Sequence, residues 1–294
     1  MRTLSLTITA ALAGRSVHSL LESELGLSGS LVRRLKLRET GILLNGVRAY
    51  TTATVREGDV LTCDISDDTP TRARPVPMAL DIIYEDADLL ILNKPAGLAV
   101  HPTQDGDEVT LENALAAYLG PGEGSHPVSR LDRGTSGLMT VAKNGYMHEA
   151  LRRLLHTDAL YREYRGIAIG TPDPPCGDIR LPIGYAEGSR LKRAVTQDGA
   201  PSHTSYETLT EANGYSLLRL IPHTGRTHQL RVHLSAIGHP LVGDWLYGTE
   251  QRDVIARPAL HSCYLAITHP LTGERLTFTA PLPDDMQALL GGKS

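Results

Sequence analysis

One short stretch of the chain, Ser129-Arg130-Leu131-Asp132-Arg133-Gly134-Thr135-Ser136-Gly137-Leu138-Met139, sets an acid between two arginines. Positive charge on both sides favours the carboxylate anion. Such an anion can attack an electrophilic carbon and form a covalent intermediate. Gly134 to Gly137 suit a tight loop before a strand from Leu138 to Ala142, which would present Asp132 at the edge of a cleft. Taken alone, Arg-x-Asp-Arg also describes a surface ion-pair cluster. A second stretch, His223-Thr224-Gly225-Arg226-Thr227-His228-Gln229-Leu230-Arg231-Val232-His233-Leu234, follows a strand from Tyr215 to Ile221. After the Gly225 turn, Leu230, Leu234 and Ile237 fall on one side of a helix. A helix start presents free N–H groups and a positive dipole end, both suited to phosphate or carboxylate. Arg226 sits at that start and is expected to form a bidentate pair with Asp132. His228 and His233 are five residues apart, wider than the spacing of helical metal pairs. No cysteine or carboxylate cluster accompanies them, so no metal site is expected.

These two stretches need a scaffold, and the surrounding patterns supply one. Ile82-Ile83-Tyr84 and Leu89-Leu90-Ile91-Leu92 form a hairpin about Glu85 to Asp88, and Leu111, Ala114, Leu115, Tyr118 and Leu119 form a helical stripe ended by Gly120. From Arg275 to Pro281, Leu276, Phe278 and Ala280 alternate with Thr277 and Thr279, as in a half-buried strand. Strands and helices mix without regular β-α-β alternation, which predicts an α+β fold with a largely antiparallel sheet over residues 78–294. Residues 67–77, with three prolines and several charges, read as a linker. Residues 1–66 form a small domain ahead of it. There Val17, Leu20, Leu21 and Leu25 predict a helix stopped at Gly26, and Ser28 or Ser30 caps a second helix. That second helix carries Leu31, Val32 and Leu35 beside Arg33, Arg34, Lys36 and Arg38. Asn45-Gly46 marks a hairpin, and Val60 to Ile65 a strand. Leu4, Leu6 and Ile8 alternate with Ser5, Thr7 and Thr9, the pattern of a strand rather than of a signal peptide's apolar segment.

With 294 residues, 41% of them hydrophobic, the chain can bury a sizeable core. It has no run of about 20 apolar residues, so no membrane span is expected. Its three cysteines are scattered, which argues against a disulfide framework and a thiolate metal site and fits a reducing cytoplasm. The net charge of −4 weakens long-range attraction to nucleic acid. The local clusters of arginine and lysine nevertheless supply sites for phosphate. Neither a P-loop nor a dinucleotide fingerprint occurs, so no nucleotide cofactor is expected.

Arg130-Leu131-Asp132-Arg133 with Thr135-Ser136-Gly137-Leu138, and Thr224-Gly225-Arg226-Thr227-His228-Gln229-Leu230-Arg231-Val232-His233, resemble the signature motifs of the RluA-type pseudouridine synthases. Further similarities follow in order: Asn93 to Leu98, Val100-His101-Pro102, Gly243 to Gly248, Leu260-His261, His269 to Glu274 and Ala280 to Pro283. The resemblance covers about residues 80 to 286. It implies that Asp132 is the nucleophile in converting uridine to pseudouridine within RNA. It also implies that Tyr164 packs on the uracil, that Arg226 pairs with the nucleophile, and that Arg130 fills the gap left by a flipped-out base. Arg133, His228, Gln229 and Arg231 are further expected RNA contacts. Two positions depart from the family pattern: Ser129 stands where His usually precedes Arg-Leu-Asp, and Gly134 where Asp is frequent. The small domain resembles the α-L RNA-binding domain of small-subunit ribosomal protein four, which implies RNA contacts by Arg33, Arg34, Lys36 and Arg38. The chemistry implied needs no cofactor, redox change or metal. Ribosomal RNA is the expected partner ahead of tRNA, with a monomeric, cytoplasmic enzyme. Two rivals are a non-catalytic RNA-binding or ribosome-assembly factor and a carboxylate-nucleophile glycoside hydrolase. The first gives no reason for Asp132, Tyr164 and Arg226 to occur together. The second needs a paired carboxylate, and none accompanies Asp132.

Overall fold

A computed structural model describes residues 2–67, 73–102, 108–120, 124–189 and 191–291. Part of the expected linker, residues 68–72, lies outside the described residues.

The alternating N-terminal segment forms β1 (Thr3–Thr7), followed by α1 (Val17–Ser23) and α2 (Gly29–Leu35), then β2 (Ile42–Leu44), β3 (Val47–Arg48) and β4 (Val60–Asp64). These strands make an antiparallel sheet in the order β1-β4-β2-β3. Ser16 caps α1 and Ser28, rather than Ser30, caps α2 by accepting the Leu31 N–H at 3.2 Å. A cap of this kind contributes about 1 kcal/mol. Leu20, Leu21, Leu31, Val32 and Leu35 turn inward and pack with Ile42, Leu61 and Cys63 into one core. Tyr146, from beyond the linker, is buried in that same core, and its hydroxyl donates to the Leu25 carbonyl at 3.0 Å. Arg2 also grips the buried Asp88 carboxylate with Nε and Nη2, and Arg153 Nη1 donates to Gly26 O at 2.9 Å. The small sheet and the larger one are therefore packed together rather than joined by a linker alone.

The remaining elements are β5 (Ile82–Glu85), β6 (Leu89–Lys94), α3 (Leu111–Leu119), β7 (His126–Pro127), β8 (Ser136–Ala142), α4 (Gly145–Leu154), β9 (Leu160–Ile169), β10 (Cys176–Ile179), β11 (Ile183–Tyr185), β12 (Arg193–Val195), β13 (Thr204–Ala212), β14 (Tyr215–Pro222), α5 (Gln229–Ala236), β15 (Leu260–Thr268), β16 (Arg275–Thr279) and α6 (Asp284–Leu289). Ten of these strands form one sheet ordered β10-β13-β14-β9-β15-β8-β6-β5, with β16 on β15 and β7 on β8. Its pairings are antiparallel except β8 with β15, which bears out the α+β fold with a largely antiparallel sheet. All seven residues of β8 are buried. Because strand side chains alternate between faces, Met139 and Val141 join a core with Leu131, Tyr164, Leu220 and Leu230, while Leu138 and Ala142 face Met147 and Leu151 of α4. The first of these cores underlies the two motif stretches.

Gly137 fixes where the Asp132 loop enters the sheet. Its φ of +113° lies in a region that L side chains avoid, and a Cβ there would come within 2.2 Å of the Ser262 carbonyl oxygen. Only glycine lets β8 start against β15 at this point. Gly134 is similarly confined, since a Cβ would meet Pro258 Cδ at 2.8 Å. An aspartate at this position would force Pro258 or the loop to shift.

Candidate active site

The two motif stretches meet across a cleft of about 730 Å³. The Asp132 loop forms one wall, the Thr224–Arg231 segment the facing one, and Tyr164 on β9 the floor together with Leu131, Leu230 and Leu260. Among the described residues six arginines line it, namely Arg130, Arg133, Arg152, Arg162, Arg226 and Arg231, and Asp132 is the single carboxylate. A chain of net charge −4 thus concentrates positive charge on one concave surface, where low-dielectric walls strengthen attraction to an anion.

The Asp132 loop is held from below. Lys94 is fully buried, and its Nζ donates to the carbonyls of Pro95 (2.8 Å), Leu98 (2.9 Å) and Arg133 (3.3 Å). Gly97 N–H also donates to Arg133 O, and Arg257 Nη1 reaches Gly134 O at 3.4 Å. Burial pushes the Lys94 ammonium down to about 8, with Asp132 opposing the shift. Three carbonyl acceptors around one Nζ suit an ammonium, which has three donors.

The partner of Asp132 differs from the one expected. Arg231 Nη1 donates to Asp132 Oδ2 at 3.2 Å. Arg226 is exposed and turns away, its Nε donating to Pro201 O at 3.2 Å. The reason is local geometry. His228 adopts a left-handed backbone, φ 57°, and starts α5, which swings Arg226 to the rim and sets Arg231 on the inner side of the first turn. Arg231 is 5% exposed, between the buried Leu230 and Val232. Its Nε and Nη2 grip the fully buried Asp244 carboxylate at 2.7 and 2.8 Å. Asp244 is itself fixed by the N–H groups of Leu246 and Tyr247. A chain of contacts thus runs from Asp244 through Arg231 to Asp132.

The other expected contacts divide. Arg130 and Arg133 are exposed at the cleft, with Arg133 paired to Glu108. His228 Nε2 lies 3.9 Å from Asp132 Oδ1 and its Nδ1 hydrogen-bonds Tyr247 Oη at 2.7 Å. Burial holds the His228 imidazole below its ordinary value, with Asp132 pulling the other way. Gln229, expected at the RNA surface, is buried instead. Its Oε1 accepts from Thr224 Oγ1 and Arg226 N, and its Nε2 donates to His203 O and Thr204 Oγ1, so the amide braces the turn. His233 is bonded through both nitrogens, to Thr204 Oγ1 and Leu181 O. In the small domain Arg33, Arg34 and Lys36 are exposed on α2. Arg38 departs from the expectation of RNA contact: its guanidinium turns back onto Asp64 O and Ser66 O and pairs with the Asp64 carboxylate. His126 does not replace the histidine absent at Ser129, because its Nε2 is tied to Asp67 at 2.5 Å.

Several lining residues carried no signal in the sequence: His148, Arg152 and His156. Asp244 and Lys94 lay within quoted motifs without a role. A buried arginine flanked by apolar neighbours in Leu230-Arg231-Val232 was the one available clue, since such a cation requires a carboxylate.

Comparison with known proteins agrees with this geometry. Residues 88–236 match the family described as RNA pseudouridylate synthase. The chain is 40% identical over 270 residues to an RNA pseudouridine synthase of Chloroflexus aurantiacus, covering 90% of this chain and 85% of that protein. It is 39% identical over 254 residues to ribosomal large subunit pseudouridine synthase D of Vibrio vulnificus, covering 80% and 77%. Among solved structures, human RNA pseudouridylate synthase domain containing 1 superposes with a TM-score of 0.60 at 29% identity, covering 72% of this chain and 87% of that one.

Proposed function

We propose that this chain, which belongs to the RNA pseudouridylate synthase family, uses Asp132 as its nucleophile and acts on large-subunit ribosomal RNA. It is an isomerase that converts uridine in RNA to pseudouridine. The reaction breaks the N1–C1′ bond, forms a C5–C1′ bond, releases the C5 proton and leaves N1 to take up a proton. The observation that carries the assignment is that Asp132 is the one carboxylate among the described residues lining an arginine-rich cleft, held by Arg231. The six arginines suit the phosphates of an RNA strand. Arg130 is exposed beside Asp132 and suits the space vacated by a base turned out of its stack, offsetting part of an unstacking cost of a few kcal/mol. Tyr164 lines the cleft floor and is the ring on which the freed uracil would stack. Stacking would keep the base near C1′ while it turns.

Relatives named for the large ribosomal subunit support ribosomal RNA over tRNA. The small domain supports a second contact region. A side cavity of about 270 Å³ is lined by Arg34 of α2 and by His148, which also lines the main cleft. The basic face of α2 therefore continues toward the cleft rim, as an α-L-type RNA-binding surface would. No described helix is long and apolar enough to cross a membrane, and a monomer in the cytoplasm fits this reading.

The test is tritium release from C5-labelled RNA by the pure protein and by Asp132→Asn, together with pseudouridine mapping in cells with and without the gene. Turnover by the wild type, none by Asp132→Asn with RNA binding kept, and loss of a large-subunit site are expected. Turnover by Asp132→Asn would sink the nucleophile assignment. Loss of a tRNA site alone would overturn the ribosomal one.

A further inference from the structure

Away from the cleft, the ends of three strands bring together side chains that lie far apart in the sequence. His203 immediately precedes β13 and His223 follows β14. The register pairing Thr204 with Pro222 sets the two histidines opposite one another, and His223 N–H donates to His203 O at 3.0 Å. Asp178 on β10 pairs with Ser205 on β13. Alternation along β13 puts His203 and Ser205 on one face and the buried Thr204 on the other. The imidazole rings stack at 4.0 Å with 15° between planes. The ligand atoms of Asp178, His203 and His223 all lie within 4.8 Å of one another.

We infer that Asp178, His203 and His223, with the Ser205 hydroxyl or a water in the fourth position, form a binding site for a divalent transition metal, best matched by Zn2+. Two imidazoles and a carboxylate are a donor set that zinc accepts in tetrahedral sites. His203 Nε2 lies 2.7 Å from Asp178 Oδ1, Ser205 Oγ donates to the same oxygen at 2.6 Å, and His223 Nε2 lies 2.7 Å from Ser205 Oγ. Tetrahedral bonds of about 2.1 Å would hold donors about 3.4 Å apart. His203 Nε2 and Asp178 Oδ1 are closer than that and no two of the three ligand atoms are more than 4.8 Å apart, so small side-chain rotations suffice. Arg180 approaches only the other carboxylate oxygen, Oδ2, at 3.9 Å and is largely exposed.

The hydrogen bonds fix the imidazole tautomers at the site. Ser205 has one hydroxyl proton and gives it to Asp178, so His223 must donate an Nε2 proton to Ser205 Oγ. His203 likewise donates from Nε2 to Asp178. Each Nε2 can pass its proton to Nδ1, giving the other neutral tautomer, and so turn a lone pair toward the ion. The ion would clamp the ends of β10, β13 and β14 beneath the turn that carries Arg226. His203 N–H already donates to Thr224 Oγ1 at 2.9 Å, and Gln229 Nε2 to His203 O.

The test is titration of the chelator-stripped full-length protein with ZnCl2 against a chromophoric competitor, and with CoCl2 followed by visible absorption. One equivalent should bind, and Co2+ should give a tetrahedral d–d spectrum. His203→Gln and His223→Gln should each weaken Zn2+ binding by more than about a hundredfold while circular dichroism stays unchanged. Should either variant fail to fold, Asp178→Asn, on an exposed side chain, should weaken binding by at least about tenfold. Absence of stoichiometric Zn2+ binding by the wild type, or binding unchanged in the folded variants, overturns the site.

Discussion

Arg231 bridges two carboxylates, donating from Nη1 to Asp132 at 3.2 Å while its Nε and Nη2 close a two-bonded fork on Asp244. A fork on a carboxylate fixes the plane of the guanidinium as well as its position. Asp244 therefore decides where the third nitrogen points, and so how the Asp132 carboxylate faces the cleft.

Asp244→Asn tests that dependence. The amide cannot accept both bonds as the carboxylate does, so the guanidinium loses its fixed plane. Because misplacement near 1 Å can cost about 10²-fold, kcat should fall by roughly that factor with little change in KM for RNA. Single-turnover and steady-state rates on one RNA measure the split. A raised KM at constant kcat would make Asp244 part of RNA binding instead.

Arg226 and Arg231 should separate in the same experiments. Arg226 is exposed at the rim, so Arg226→Ala should weaken RNA binding and reduce the slope of log affinity against log salt by about 0.7 to 0.9. Its kcat should change only a few-fold. Arg231→Ala leaves the buried Asp244 carboxylate without its counter-charge and should cost about 3 to 5 kcal/mol of stability, with turnover lost. Urea unfolding and filter binding across a salt series check both.

The exchange of roles between these two arginines shows what the sequence could carry. Strand and helix periodicity located β5, α3, β14 and β16, because each has one face more buried than the other, whereas β6, buried almost throughout, showed as an apolar run and α5 through Leu230, Leu234 and Ile237. The meeting of Asp132 with the Thr224–Arg231 segment depends on sheet order across β14, β9, β15 and β8, which no local pattern encodes. Arg226 looked like the partner because it stands at the Gly225 turn. The left-handed His228 that reverses the choice is a single backbone angle, and neighbouring residues do not announce it. Gln229 was misread for a related reason. A polar side chain at a helix start looks available to a ligand until the turn it braces is seen.

His261 predicts the acid limb of stability. It is buried against Ser136, whose Oγ lies 2.9 Å from its Nδ1, and burial pushes its imidazole down to about 4. The unfolded chain takes up a proton near pH 6.5 that the folded chain refuses until about pH 4. Stability is therefore held above pH 6.5 and lost as pH falls toward 4, by about 3 kcal/mol from this group. His261→Asn should flatten the fall in unfolding free energy between pH 7 and pH 4.5. The slope should not vanish, because burial also lowers His148 and His233. An unchanged slope would mean that His261 titrates alike in both states.

The small domain calls for charge substitution rather than removal. Deleting residues 1–66 would expose Tyr146, free Asp88 from Arg2 and Arg153 from Gly26, so lost activity would report a damaged catalytic domain. Arg33→Glu, Arg34→Glu and Lys36→Glu together touch only exposed positions on α2 and leave Leu31, Val32 and Leu35 in place. If this face carries RNA, the triple variant should bind RNA at least about tenfold more weakly at moderate salt, with a shallower salt slope. Its rate on saturating RNA should stay within a few-fold of wild type, since none of the three lines the main cleft. Adding Arg38 to the set should destabilise the fold without further effect on the salt slope, because its guanidinium is engaged with Asp64 and Ser66. Equal affinity and equal salt slope for wild type and triple variant would remove α2 from the RNA surface.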